Sequence, residues 1–216
     1  MPAKQNFNFT ALKLSGIIIL VFIIQYFSDQ FTDLFILNSQ AIPQIWRFVS
    51  SIFLHANIAH LALNIFALAL FGSILEKYIG SKNLLITFFT SGILANILAI
   101  NFYTSSLGAS GAIFGVIGAL VLVRPLMTVW TFNLPMPMFL AGIIWIIADI
   151  LGTYGFLVGN PIDNTGNIAH LSGIAIGIIA GIYFRKKLNR SKNKSNKIVL
   201  DERTMQSWEN VYMNKR

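Results

Sequence analysis

Long uncharged runs separated by short polar stretches organise residues 1–184, and their lengths suit a membrane better than a water-soluble core. About 20 apolar residues cross a hydrocarbon layer of roughly 30 Å. On that scale six spans are predicted: about 11–27, 58–78, 83–102, 110–124, a fifth within about 135–156, and 167–184, which ends against Arg185-Lys186-Lys187. The first run has the apolar core Leu14 to Ile24 of a secretory leader, but Gln25-Tyr26-Phe27 stands where a cleavage site needs small residues. It is read as an uncleaved helix. The pattern therefore predicts an all-α polytopic membrane protein in two parts, a six-helix membrane-embedded domain over 1–184 and a tail over 185–216. Lys, Asn and Ser dominate 188–200 and predict disorder there, with a short helix near Trp208.

Composition supports this reading, since 55% of the chain is hydrophobic and 11% charged, against roughly 25% charged in a soluble domain. The net charge of +8 belongs almost wholly to the tail, where 185–216 hold ten Lys or Arg and three acids. An anionic headgroup surface is thus the expected partner of the tail, and nucleic acid is not expected. With no cysteine, disulfides, thiol catalysis and cysteine-ligated metals are excluded, and no cofactor or metal is expected. Lys and Arg in short loops stay cytoplasmic. With both termini inside, every cation but Arg47 obeys that rule, and the long stretch from Ser28 to about Asn57 is an outer loop, partly in the interface near Trp46.

Candidate chemistry comes from polar groups at one depth. Ser110 lies 14 residues above Arg124, His170 lies 15 above Arg185, and His60 and Asn64 lie 16 and 12 above Glu76. At 1.5 Å per residue these are roughly 18 to 24 Å above the inner boundary, in one layer below the outer surface. Polar side chains at such depth are costly and usually functional. Ser110, in Gly108-Ala109-Ser110-Gly111, starts a short span whose recessed N-terminus offers free backbone N–H groups and a positive dipole end. Gly111 and Gly115 in the fourth span, and Gly173, Gly177 and Gly181 in the sixth, let those helices approach closely. That approach brings His170 within reach of Ser110, where imidazole can take the hydroxyl proton.

His60 and Asn64, spaced i, i+4, share a helix face and can donate to an oxyanion. His55 either supports His60 or is solvated. Asp149 is an acid within a span that can orient His170, reach the interface or bond a neighbouring backbone, and Asn96 reads as a bond between helices. A zinc site on His55, His60 and His170 is a competing reading that leaves Ser110 without a role.

Together these residues resemble the rhomboid intramembrane serine proteases. The resemblance is carried by Trp46-Arg47, by His55, His60 and Asn64 at their spacing, by Gly108-Ala109-Ser110-Gly111, and by Ala169-His170 with Gly173. It covers 46 to about 184 and implies a rhomboid-like six-helix bundle that hydrolyses peptide bonds in transmembrane substrates. It also implies a dyad of Ser110 and His170 without a catalytic acid, with His60, Asn64 and the Ser110 amide at the oxyanion. His55, Gly108, Gly111, Phe114, Trp46 and Arg47 take supporting places. Phe114 departs from the family, many of whose members carry a Tyr packed on the catalytic His. A binding protein of the same fold would not need both Ser110 and His170. The localisation expected is a prokaryotic plasma membrane, with the site opening to the outer side.

Overall fold

The computed structural model describes residues 7–131, 133–162, 166–195 and 202–213. The chain divides into two compact units, Gln5–Arg185 and a second that contains Lys186–Arg216. Helices α1 (Thr10–Tyr26), α6 (Ser81–Ala99), α7 (Ser110–Val123), α8 (Met138–Leu157) and α9 (Asn167–Ser195) account for five of the expected spans. The remaining span is a continuous helix, Ile58–Ile79, made of α4 (Ile58–Ala67), a π turn at Leu68–Gly72 and α5 (Ser73–Ile79). Four of these helices are long and apolar enough to cross a membrane: Ile58–Ile79, Ser81–Ala99, Met138–Leu157 and Asn167–Arg190. α1 and α7 are apolar but shorter.

The short α7 is the hub of the body. Residues 111–113 and 115–120 are all buried, so the helix is covered on nearly every face, as its uniform hydrophobicity requires. Its glycines admit neighbours at backbone distance. A Cβ at Gly173 of α9 would collide with the Gly111 carbonyl oxygen, one at Gly177 with the Gly115 carbonyl oxygen, and one at Gly181 would lie 2.9 Å from the Ala119 carbonyl oxygen. On another side, a Cβ at Gly115 would collide with Ser91 of α6. Away from these contacts the bundle presents apolar side chains such as Leu20, Leu63, Ile147 and Ile179, the surface that lipid demands.

Buried polar groups tie the rest together. Glu76 of α5, read in the sequence as the charge at the inner boundary, turns inward and is fully buried. Its carboxylate accepts from the backbone N–H groups of Asn8, Thr10 and Ala11 at 2.9 to 3.1 Å and from the Ser81 hydroxyl at 2.7 Å. The unpaired N–H groups at the start of α1 are thus capped by an anion from another helix, because Phe9 in the N-cap place makes no side-chain bond. The π turn sets Gly72 against α1, where a Cβ would be 2.9 Å from Ala11 Cβ.

The stretch 28–57, expected as an outer loop, is more structured than its sequence suggested. It holds α2 (Asp29–Phe35), strand β1 (Leu37–Asn38), a 3-10 turn at Ser39–Ala41, α3 (Arg47–Ser50) and a second 3-10 turn at Ser51–Phe53. β1 pairs antiparallel with β2 (Ser105–Ser106). Arg47, 2% exposed, donates to the carbonyls of Asp33 and Ile36 at 2.7 Å and to Gln44 Oε1 at 2.6 Å. Asn96 bonds the Phe48 carbonyl at 2.8 Å and the Ser51 hydroxyl at 3.0 Å, which makes it the interelement bond expected, between α6 and this loop.

Two expectations need correction, the absence of strands and the disordered tail, and the start of the fifth helix is sharpened. The all-α reading misses β1–β2 and a hairpin of β3 (Thr128–Thr131) with β4 (Leu134–Pro137). That hairpin takes up Pro135 and Pro137, so the fifth helix starts at Met138; Pro lacks the N–H a helix interior needs. The tail expected to be disordered from 188 is helical as far as Ser195, residues 196–201 lie outside the described residues, and α10 (Glu202–Tyr212) contains Trp208.

The glycine contacts make a direct prediction. Gly16 on α1 has nothing within 4 Å of a built Cβ, whereas Gly177 has no room for one. Gly16→Ala should leave thermal unfolding in detergent unchanged or slightly improved, and Gly177→Ala should destabilise by about 1–3 kcal/mol. Equal unfolding curves for the two variants would mean that α7 and α9 do not meet as described.

Candidate active site

Ser110 opens α7, and the chain leading to it is fixed on both sides. β2 is paired to β1, and the Gly108 N–H donates to the Ser51 carbonyl at 2.9 Å. Gly108 has φ +123°, and a Cβ there would lie 2.7 Å from His60 Cε1 and 3.0 Å from its Nε2. Only glycine suits this place, on grounds of conformation and of space. The His60 ring therefore rests on the backbone two residues before Ser110. Ala109 caps α7 with no side-chain bond, and the Ile113 N–H is the first to reach a carbonyl within the helix, that of Ala109 at 2.9 Å. The amides of Ser110, Gly111 and Ala112 thus lack an intrahelical acceptor, at the positive end of the helix dipole.

His170 stands on the first turn of α9, with its backbone N–H bonded to the Gly166 carbonyl at 3.0 Å. Its ring stacks flat on Phe114, centroids 4.2 Å apart and planes 6° apart. Phe114 is one turn along from Ser110. A Cβ at Gly111 would lie 3.4 Å from the Ala169 carbonyl oxygen. The two contacts bring the residues flanking the serine against those flanking the histidine. Among the described residues no hydrogen bond joins Ser110 to His170. The imidazole is held instead by Phe114 and by Asp149 of α8, whose Oδ1 is 3.0 Å from His170 Nδ1. Catalytic contacts are often loose before substrate arrives.

His60 and Asn64 lie on α4, which Asn57 caps by accepting the His60 N–H at 2.8 Å. The Ala56 N–H points to His60 Nδ1 at 3.5 Å. An Nδ1 that accepts this N–H carries no proton, so the contact suits the Nε2–H form, and Cε1 and Nε2 are the ring atoms nearest Gly108. Asn64 Nδ2 donates one hydrogen to the His60 carbonyl at 2.8 Å, which leaves the other free, and Asn64 Oδ1 is buried without a partner among the described residues.

His55 is fully buried rather than solvated. Its Nδ1 lies 3.3 Å from the Phe53 carbonyl, and its ring meets the His60 ring at 5.0 Å and 60°. Burial, and then the neighbouring His60, lower its pKa to about 4, against a smaller opposing effect of the Phe53 carbonyl. Its backbone is held by a residue for which sequence reasoning found no role: Gln25 accepts the His55 N–H at 3.0 Å and donates to the His55 carbonyl at 2.9 Å. An amide at the end of an apolar helix was the available signal, as Asn before Ile-Ala-His was for the cap. Trp46 and Arg47 are loop-building residues; the Trp46 indole reaches the Leu34 carbonyl at 3.4 Å. Among the described residues no three His, Asp or Glu side chains are grouped to hold a metal.

A family model described as the Rhomboid domain matches residues 43–187. The chain is 40% identical over 156 residues to Rhomboid protease GluP of Bacillus subtilis, covering 66% of this chain and 28% of that protein. It is 32% identical over 148 residues to Rhomboid-like protease 3 of Toxoplasma gondii, covering 67% and 54%. Rhomboid protease GlpG of Yersinia pseudotuberculosis is 26% identical over 147 residues, covering 68% and 50%. The aligned region spans between about a quarter and about half the length of these relatives.

The His55 environment has a measurable consequence. Its folded pKa, about 4, lies below the ordinary value of 6.5, so the unfolded chain binds the extra proton first. Stability contributed by neutral His55 is present above pH 6.5 and is lost as pH falls toward 4. In 15N-histidine-labelled protein the His55 ring should stay neutral down to about pH 5, and a ring titrating near 6.5 would contradict its burial.

Proposed function

The chain belongs to the rhomboid family, and from that premise we propose that it is an intramembrane serine endopeptidase acting on spanning segments of membrane proteins. The observation that carries this reading is the convergence at the start of α7: Phe114 stacked on His170, Gly108 under His60, and three amides without an intrahelical acceptor beside the Ser110 hydroxyl. The relatives' names supply the reaction class.

In this mechanism His170 Nε2 takes the Ser110 proton as Oγ attacks the scissile carbonyl. The resulting oxyanion accepts from the Ser110 amide, His60 Nε2–H and the free amide hydrogen of Asn64. Collapse breaks the C–N bond, and His170 passes its proton to the departing amine. Water then attacks the acyl-serine with His170 again as base, which releases the acid and restores Ser110.

The body, 1–184, is proposed as the protease domain, with α1, Ile58–Ile79, α6, α7, α8 and α9 as its six spans and both termini cytoplasmic. The distribution of Lys and Arg supports that orientation, and the site then opens to the outer side. The bacterial relative at 40% identity supports a prokaryotic plasma membrane, and the basic tail from 185 faces anionic headgroups. A regular helix shields its peptide bonds, so substrates are expected to unwind near the outer end, at small residues beside Gly, Pro or polar residues.

Purified protein should cleave single-span substrates, and Ser110→Ala and His170→Ala should each abolish cleavage, the double variant being scarcely worse. More than about a tenth of wild-type turnover in either single variant would exclude the dyad, since that is a loss of only about 1.4 kcal/mol. His60→Ala and Asn64→Ala should lower turnover by roughly 10- to 10³-fold with folding intact. Full activity in the double His60→Ala, Asn64→Ala variant would remove both from the oxyanion. When a substrate's helix breakers are replaced by Leu, cleavage should fall; undiminished cleavage would contradict the unwinding requirement.

A further inference from the structure

Asp149 has no place in the mechanism just described, yet it is a buried acid of α8 within a membrane body. An acid there needs a partner. The partner is His170: Asp149 Oδ1 lies 3.0 Å from Nδ1, with side chains only 8% and 13% exposed respectively, while Oδ2 is buried with no partner among the described residues. Two other groups face the same imidazole. Phe114 of α7 covers its flat face and offers no hydrogen bond, and His60 of α4 is its titratable neighbour. Stacking restrains tilt but leaves the ring free to turn within its plane, so it does not decide which nitrogen carries the proton. Asp149 decides that.

We propose that Asp149 is a positioning residue for the Ser110 and His170 reaction, holding the imidazole as the Nδ1–H tautomer with Nε2 open to the serine proton. The inference rests on the protease reading above and replaces its two-residue unit with three. A carboxylate only accepts, so Nδ1 must donate and the Nε2 lone pair is left as the base. When Ser110 Oγ attacks, its proton moves to Nε2, and the Nδ1–H remains bonded to Asp149, which stays ionised and faces the new positive charge. The same proton leaves from Nε2 to the amine, so the aspartate neither gains nor loses one. A role confined to joining α8 to α9 would not require the acid to meet this histidine, and at this nitrogen.

Asp149→Asn is the informative variant, because an amide can donate to Nδ1 and so favour the opposite tautomer at nearly unchanged shape. Its kcat should fall by about 10² to 10⁴-fold with KM within about threefold of wild type, and Asp149→Glu should recover part of the loss. A kcat for Asp149→Asn within twofold of wild type would overturn the assignment and leave the dyad standing. Absence of any Ser110-dependent cleavage by the wild-type protein would overturn the protease reading and this assignment with it. The wild-type protein provides a second test that needs no variant to fold: 15N-histidine spectra at pH 8 should show His170 protonated at Nδ1 and bare at Nε2. The reverse pattern would overturn the proposal.

Discussion

Between α7 and α9 the two backbones touch. The Gly111 and Gly115 carbonyls occupy the space that Cβ atoms at Gly173 and Gly177 would fill, and the meeting of His170 with the helix that Ser110 opens depends on that approach. In lipid, apolar side chains gain little by leaving the hydrocarbon for a helix interface, so association rests on dispersion at close range and on polar contacts. Glycine removes the side chains that would hold the axes apart. The consequence is local as well as global, because the contact continues upward as Gly111 against Ala169, placing His170 where Phe114 can stack on it.

A second constraint explains where the polar residues of a nearly uncharged body are spent. Glu76 caps α1 from α5, Arg47 gathers the carbonyls of the outer loop, Asn96 joins that loop to α6, and Gln25 clamps the His55 backbone. Each satisfies backbone groups that have no regular partner, in a setting where leaving them unpaired costs about 1–3 kcal/mol apiece. They also form a chain of support. Gln25 and Asn96 fix the two ends of the segment 48–55, and Ser51 in that segment holds Gly108, two residues before the nucleophile.

The helices were legible in the sequence because they follow from a one-dimensional quantity, the length of an apolar run. The glycine ladders were legible for the same reason. What was not legible depends on partners distant in the chain. Glu76 reads as a boundary charge until the start of α1 is known to need an anion, and Pro135 and Pro137 read as a helix entrance until β3 is there to pair with β4. Hydropathy gave no sign of the loop's strand and short helices, since a two-residue strand such as Leu37–Asn38 has no period to detect. Asp149 was left among several roles because the sequence fixes neither the height of α8 nor its rotation; the structure fixes both against His170.

The proposed reaction asks opposite things of two histidines that lie close together. As a base, His170 must present a bare Nε2; as an oxyanion donor, His60 must present Nε2–H. Neutral imidazole has one proton to place, so the choice is made at the other nitrogen. At His170 the proposed partner is an acceptor, the Asp149 carboxylate 3.0 Å away, which would draw the proton to Nδ1. At His60 it is a donor, the Ala56 N–H at 3.5 Å, which leaves the proton on Nε2 against Gly108. His55 packs its ring against His60 at 5.0 Å and, with a pKa near 4, adds no positive charge beside it at neutral pH. In the proposed reaction, second partners supplied by α8 and by the loop before α4 assign two identical side chains different tasks, and that separation rests on a backbone N–H as much as on a side chain.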